Sequence, residues 1–222
     1  MILCIENVLT TDELDFIVGK LKNAEFIDGK TTAGWHAKLV KNNKQLPNNA
    51  LTEEIRSIVT RALKRNHLFQ AAVRPKVIRP IIFSCYEPGM SYGSHTDNAL
   101  MGDEVVTRSD VSLTLFLSPA SSYTGGELVI DTSLGEQAFK PEAGSMIVYP
   151  SSTLHQVETV TEGTRLAAVT WVQSLIRDSG EREILFDLET VRQVMFQKYG
   201  KTPEFDLISK THANLLRKWV DL

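Results

Sequence analysis

Cysteine is nearly absent from this 222-residue chain: Cys4 and Cys85 are the whole supply. A disulfide framework or a structural zinc cluster would need more of them, so both are excluded. The two lie in apolar, strand-like surroundings, Ile2-Leu3-Cys4-Ile5 and Phe83-Ser84-Cys85-Tyr86, and read as buried, reduced thiols. A basic excess is missing too. The formal charge is -3 and the pI near 6.0, which argues against nucleic acid as a principal partner. No apolar run approaches the roughly 20 residues of a membrane span. Glu6, Asp12, Glu13 and Asp15 interrupt the N-terminus where an export signal would need an unbroken apolar stretch. A cytoplasmic, reducing compartment is the resulting expectation.

With 42% hydrophobic and 23% charged residues, the chain can bury one sizeable core. Thr10 or Thr11 can cap a helix whose apolar positions Leu14, Ile17, Val18 and Leu21 recur at helical spacing. Asp28 to Asn49 reads as loop. It contains Gly34-Trp35-His36 and the polar run Lys41-Asn42-Asn43-Lys44-Gln45, a solvated stretch that at a pocket rim would steer an anionic substrate. A second helix is expected from about Leu51 to Lys64.

From Arg79 the period changes. Segments such as Pro80 to Tyr86, Val111 to Leu117, Glu127 to Ile130, Ser145 to Tyr149, His155 to Val160 and Arg165 to Val172 are short, β-rich and separated by Gly, Pro, Ser and Asp. This predicts an α+β chain with a mainly β core, a double-sheet jelly roll whose outer face the N-terminal helices cover. After Gln173, helical spacing returns in Ile184, Leu188, Val191 and Met195, and again in Ile208, Leu215, Trp219 and Val220. The expected division is a helical and loop support region (1–78), the β core (79–174) and a C-terminal helical extension (175–222), which offers a surface for a homo-oligomer.

Chemistry concentrates in His95-Thr96-Asp97, with His155 at a strand start and Arg165 ten residues further on. Alternation along a strand puts His95 and Asp97 on one face, and a barrel can bring His155 beside them. Two imidazoles and a carboxylate on one side of a metal leave the opposite positions open, which suits ferrous iron meeting a chelating cosubstrate and oxygen. Arg165 is expected on the strand neighbouring that of His155. Its planar fork inside a barrel calls for a carboxylate partner. Two rivals remain at this point: a zinc hydrolase, because the same donors bind zinc, and a non-catalytic jelly-roll binding module. Gly125-Gly126 reads as a hairpin turn, Glu127 as a structural hydrogen-bonder, Trp171 as pocket wall, and His36, His67 and His212 as loop or structural residues.

The run Tyr86-Glu87-Pro88-Gly89-Met90-Ser91-Tyr92-Gly93-Ser94-His95-Thr96-Asp97, followed by Tyr123-Thr124-Gly125-Gly126-Glu127-Leu128, His155 and Arg165, resembles the ferrous-iron and 2-oxoglutarate dioxygenases of the prolyl 4-hydroxylase type. Among these it is most similar to the bacterial PKHD-type hydroxylases, whose N-terminal signature Thr32-Ala33-Gly34 and Val40 to Leu46 resemble. The resemblance implies a double-stranded β-helix, catalytic iron on His95, Asp97 and His155, and Arg165 on the distal carboxylate of 2-oxoglutarate. It further implies Tyr86 as a hydrogen-bonder to that cosubstrate, ascorbate as a reductant, and hydroxylation by O2 of a small-molecule or amino-acid-like substrate, with release of succinate and CO2.

Overall fold

A computed structural model describes residues 1–222 apart from Ala33 and Asp103, so Ala33 of the N-terminal signature lies outside the described residues. The chain opens with β1 (Leu3–Ile5), α1 (Thr11–Lys22) and β2 (Ile27–Asp28), then two 3₁₀ turns, Gly29–Thr32 and Ala37–Leu39. Next come β3 (Lys41–Asn42), β4 (Lys44–Gln45), α2 (Ala50–Arg65), α3 (His67–Val73) and β5 (Pro75–Ile78). The central part contributes β6 (Ile82–Tyr86), β7 (Ser91–His95), β8 (Leu100–Met101), β9 (Thr107–Arg108), β10 (Val111–Phe116), β11 (Tyr123–Thr124) and β12 (Leu128–Thr132). It continues with β13 (Gly135–Phe139), β14 (Met146–Pro150), β15 (His155–Val157), β16 (Glu162–Gly163) and β17 (Arg165–Ser174). Two helices end the chain, α4 (Ser179–Tyr199) and α5 (Pro203–Trp219).

Two antiparallel sheets face each other. The larger has the order β1-β14-β10-β17-β6-β4-β2, with β5 also paired to β17, and the smaller runs β13-β12-β15-β7-β3. This is the jelly roll that the spacing of the short strands implied, with helices at both ends of the chain. Strand β10 shows how one segment serves two layers. Val111, Leu113 and Leu115 join the cluster that includes Ile17 of α1, Ile55, Val59 and Leu63 of α2, and Phe69 of α3. Phe116, on the opposite alternation, packs with Leu128, Ile130, Ile147 and Tyr149. Each such fully buried side chain contributes about 1.5–3 kcal/mol, so the helices hold the larger sheet from outside while the second cluster ties the two sheets together at one end of the space between them.

Local signals set the helix starts. Thr10 accepts the Glu13 N–H at 3.3 Å and Glu13 accepts the Thr10 N–H at 3.0 Å, a reciprocal cap worth about 1 kcal/mol. Asn49 caps α2 through the Thr52 N–H at 2.9 Å.

Several expectations are corrected. Cys4 is exposed, because it sits on the outward alternation of β1, at the sheet edge; Cys85 is buried. Lys41 to Gln45 is not a solvated loop. Its two halves add a strand to each sheet, β3 at the edge beside β7 and β4 between β6 and β2. Gly125-Gly126 does not close a hairpin, since β11 pairs with β16 whereas β12 pairs with β13 and β15. Both glycines have positive φ, and a Cβ on Gly125 would fall 2.0 Å from the Thr159 carbonyl oxygen, so this is a tight passage that only glycine can make.

Candidate active site

Strands β7 and β15 are neighbours in the smaller sheet, and His95 pairs directly with His155. Their rings stand 4.3 Å apart between centroids. Asp97 lies two residues beyond the end of β7, so strand alternation proper stops short of it, yet its carboxylate turns into the same space, 3.8 Å from His155 Nε2. One donor atom from each of His95, Asp97 and His155 lies within 4.8 Å of the other two, a spacing at which the three could hold one metal ion.

The surroundings of these groups fit a metal. His95 Nδ1 lies 2.8 Å from the Gly93 carbonyl and His155 Nδ1 lies 3.0 Å from the Thr153 carbonyl. Each Nδ1–H donates to its carbonyl, which leaves the Nε2 lone pair facing inward. Burial, with His155 close by, pushes the His95 imidazole down to about 4, so it is neutral at ordinary pH, the form that can bind a metal. Across the gap, Ser112 on β10 donates to Asp97 Oδ2 at 2.5 Å and lies 2.8 Å from Ser151 Oγ. Tyr92 stacks on His95 at 3.7 Å between centroids, and Tyr149 meets His155 edge-on at 5.0 Å. Burial raises both phenols, which therefore stay protonated and serve as apolar walls with one polar end.

Arg165 opens β17 in the larger sheet and is not on a strand beside that of His155, whose neighbours are β12 and β7. The residues between them are spent on crossing from one sheet to the other, with β16 pairing to β11 on the way. The guanidinium is 1% exposed and sits 5.0 Å from the Tyr86 ring and 5.1 Å from the Phe116 ring. Its Nε and Nη2 have no hydrogen-bond partner among the described residues, and neither has the buried hydroxyl of Tyr123. Leaving a buried charge unpaired costs several kcal/mol, so these atoms fit an anion such as a carboxylate. Gly126 permits the arrangement: a Cβ there would meet Arg165 Cδ at 2.9 Å and the Tyr123 ring at 3.1 Å.

A cavity of about 880 Å³ joins these parts, lined by His95, Asp97, His155, Arg165, Tyr86 and Trp171 among others. That is room for a cosubstrate and a second small molecule. The segment from β3 to β4, expected as a solvated run at a pocket rim, instead puts buried residues on the cavity wall. Lys41, Asn43 and Gln45 alternate inward and are buried, and burial pushes the Lys41 ammonium down to about 8 against the pull of Asp97. All five residues from Lys41 to Gln45 are polar, so no alternation in the sequence marks which of them face inward. Glu127 accepts from Lys140 at 3.3 Å, a structural role. Trp35 is 83% exposed, His67 is exposed, and His212 is buried beside Arg74 and Glu189.

Comparison with known proteins agrees with this geometry. Residues 81–173 match the model of the 2OG-Fe(II) oxygenase superfamily. The fold is similar to a prolyl-4-hydroxylase of Pseudomonas putida (TM-score 0.55, 19% identity, covering 78% of this chain and 92% of that one). It is also similar to a prolyl hydroxylase of Trichoplax adhaerens (TM-score 0.57, 16% identity, covering 82% and 86%). Over its full length the chain is 61% identical to a PKHD-type hydroxylase of Synechococcus sp. (strain JA-2-3B'a(2-13)), with 100% of each covered. The site and fold thus define a 2-oxoglutarate and iron(II) dependent dioxygenase, an enzyme and an oxidoreductase. Within that class the chain belongs to the PKHD-type hydroxylases. Membership sets aside the zinc-hydrolase and binding-module readings. Among the described residues no helix is long and apolar enough to cross a membrane.

Proposed function

We propose that His95, Asp97 and His155 hold one ferrous ion and that Arg165 holds the distal carboxylate of 2-oxoglutarate, with Tyr86 beside it. The observation that supports this most is the unpartnered guanidinium of Arg165, buried in the same cavity as the three donors. When bound, iron and 2-oxoglutarate supply oxidative decarboxylation to succinate and carbon dioxide, coupled to insertion of one oxygen atom from O2 into a substrate C–H bond. The chain's own residues orient and shield. Ser112 fixes the Asp97 carboxylate, the Gly93 and Thr153 carbonyls fix the two imidazoles, and Tyr92 and Tyr149 keep water from their faces.

The substrate on this reading is a small or amino-acid-like molecule, and ascorbate serves as the reductant that restores iron oxidised in uncoupled turnover. The protein works in the cytoplasm, and nucleic acid is no partner of so acidic a chain. Residues 1–78 support, 79–174 carry the chemistry, and 175–222 extend the fold. Ile184, Val191 and Val194 of α4 are 47%, 45% and 42% exposed, and this apolar face supports a homo-oligomer through the C-terminal helices. Light scattering of Ile184→Glu beside the parent chain tests it, since an unchanged mass would remove that role.

The site reading is tested by anaerobic reconstitution. Wild type should take up one ferrous ion per chain and His155→Ala none, after which an untargeted metabolite screen should find a compound gaining one oxygen atom. Equal iron uptake by His155→Ala would mean that the third ligand lies elsewhere.

A further inference from the structure

The segment Lys41 to Gln45 crosses from the smaller sheet to the larger at the edge of the sandwich, and Asn43 is the residue at which it changes sheets. Its alternation is inverted relative to an ordinary edge: Lys41, Asn43 and Gln45 point into the cavity, 6%, 4% and 3% exposed, while Asn42 points out. The Lys41 ammonium has one hydrogen-bond partner, Thr32 Oγ1 at 3.2 Å, and no carboxylate within ion-pair distance among the described residues. It stands 5.1 Å from the centre of the Tyr92 ring, whose plane in turn stacks on His95. Both polar atoms of the Asn43 side chain are buried with no partner within hydrogen-bond geometry among the described residues, and the side chain lies beside Tyr86.

Charge counting assigns the residue. On the function proposed above, on which this inference rests, the charges of ferrous iron and Arg165 are balanced by Asp97 and the two carboxylates of 2-oxoglutarate. Of the other cations on the cavity wall, Arg56 is paired with Glu53 at 2.5 Å and Arg79 is only half-buried. Lys41 remains a buried cation with no carboxylate in contact among the described residues, feeling only the longer-range pull of Asp97, which the iron takes up, and of exposed Asp28. A buried cation is stable only when paired, so its partner arrives with the substrate.

We propose that Lys41, with the Asn43 amide beside it, receives a carboxylate of the substrate, so that this enzyme hydroxylates a small carboxylic acid. The same arrangement excludes uncharged amide or ester analogues of that acid.

The test uses the full-length protein loaded with ferrous iron and 2-oxoglutarate under nitrogen. A panel of free amino acids and 2-hydroxy acids is titrated against it, each beside its carboxamide as an uncharged twin, with binding followed by calorimetry and by melting temperature. At least one acid should bind where its amide does not. Lys41→Met should weaken that acid about tenfold or more, and Lys41→Arg should restore part of the loss. The affinity for 2-oxoglutarate and the iron content should match wild type in both variants, and the melting temperature of metal-free Lys41→Met reports that it folds. Acids that never outperform their amides, or an acid whose affinity ignores Lys41→Met, would overturn the assignment. If Lys41→Met weakens 2-oxoglutarate as Arg165→Met does, Lys41 serves the cosubstrate, and this inference fails while the oxygenase site stands. A wild type that binds neither iron nor 2-oxoglutarate would instead sink the function proposed above, and with it this inference.

Discussion

Replacing Arg165 by methionine separates a structural arginine from a cosubstrate receptor, because the two roles predict opposite signs. The side chain is 1% exposed, carries two nitrogens without partners among the described residues and lies near the rings of Tyr86 and Phe116. In the empty protein this is a cation taken from water with little return, and an apolar side chain of similar length removes that cost. Metal-free Arg165→Met should therefore melt at or above the wild-type temperature. With 2-oxoglutarate the balance reverses, since a carboxylate would enter a buried site from which the guanidinium has gone. Truncating one member of a buried, hydrogen-bonded charge pair costs about 2–5 kcal/mol, which is roughly thirtyfold to a few thousandfold in Kd. Thermal melts of the metal-free proteins, beside calorimetric titration of 2-oxoglutarate into the iron-loaded proteins under nitrogen, measure both quantities. A variant that melts several degrees lower and binds 2-oxoglutarate as wild type does would refute the reasoning.

Four further outcomes are expected. Ser112→Ala removes the hydroxyl that holds Asp97 Oδ2 and should lower iron affinity by about 10–100-fold while the fold persists, as read by competition with a chelator. Gly126→Ala places a methyl 2.9 Å from Arg165 Cδ at a φ of +69°, and should cost about 1–3 kcal/mol in denaturant unfolding and weaken 2-oxoglutarate binding through the displaced guanidinium. Burial pushes the Cys85 thiol up to about 11, so its thiolate is scarce below that pH. Iodoacetamide at mildly alkaline pH should label exposed Cys4 first, and Cys85 labelling should rise with pH toward that value or on adding denaturant, as mass spectrometry would show. Leu185→Ala, on a fully buried side chain of α4, should cost about 2–5 kcal/mol. That outcome would show by chemical denaturation that the C-terminal helices are integral to stability.

The parts of this molecule that were legible in the sequence are those governed by local rules. Thr10 before an apolar helical stripe, the β-rich runs bounded by glycine and proline, and the change of texture after Gln173 each follow from spacing alone. The cluster of His95, Asp97 and His155 was legible because His95 and Asp97 are two residues apart and His155 starts a strand. What remained hidden depends on which strands meet. The ten residues from His155 to Arg165 look like a hairpin, and their use in crossing between the sheets is decided by pairing of β16 with β11, remote in sequence. Lys41 to Gln45 looked like a loop because two-residue strands carry almost no propensity signal and their inward face is polar. Ser112 was hidden for the converse reason, since a serine in a strand of apolar neighbours shows its purpose only when Asp97 is placed opposite. Cys4 was misread because an edge strand has an outward face that composition does not reveal.

The account rests on one metal held by His95, Asp97 and His155 beside a carboxylate receptor at Arg165. Its most direct test is the fate of isotope-labelled dioxygen given to iron-loaded protein with 2-oxoglutarate, read by mass spectrometry of succinate. Wild type should place one labelled atom in each succinate. His155→Ala should form no labelled succinate, and Arg165→Met should form it only at greatly raised 2-oxoglutarate. Labelled succinate from His155→Ala at the wild-type rate would contradict the account.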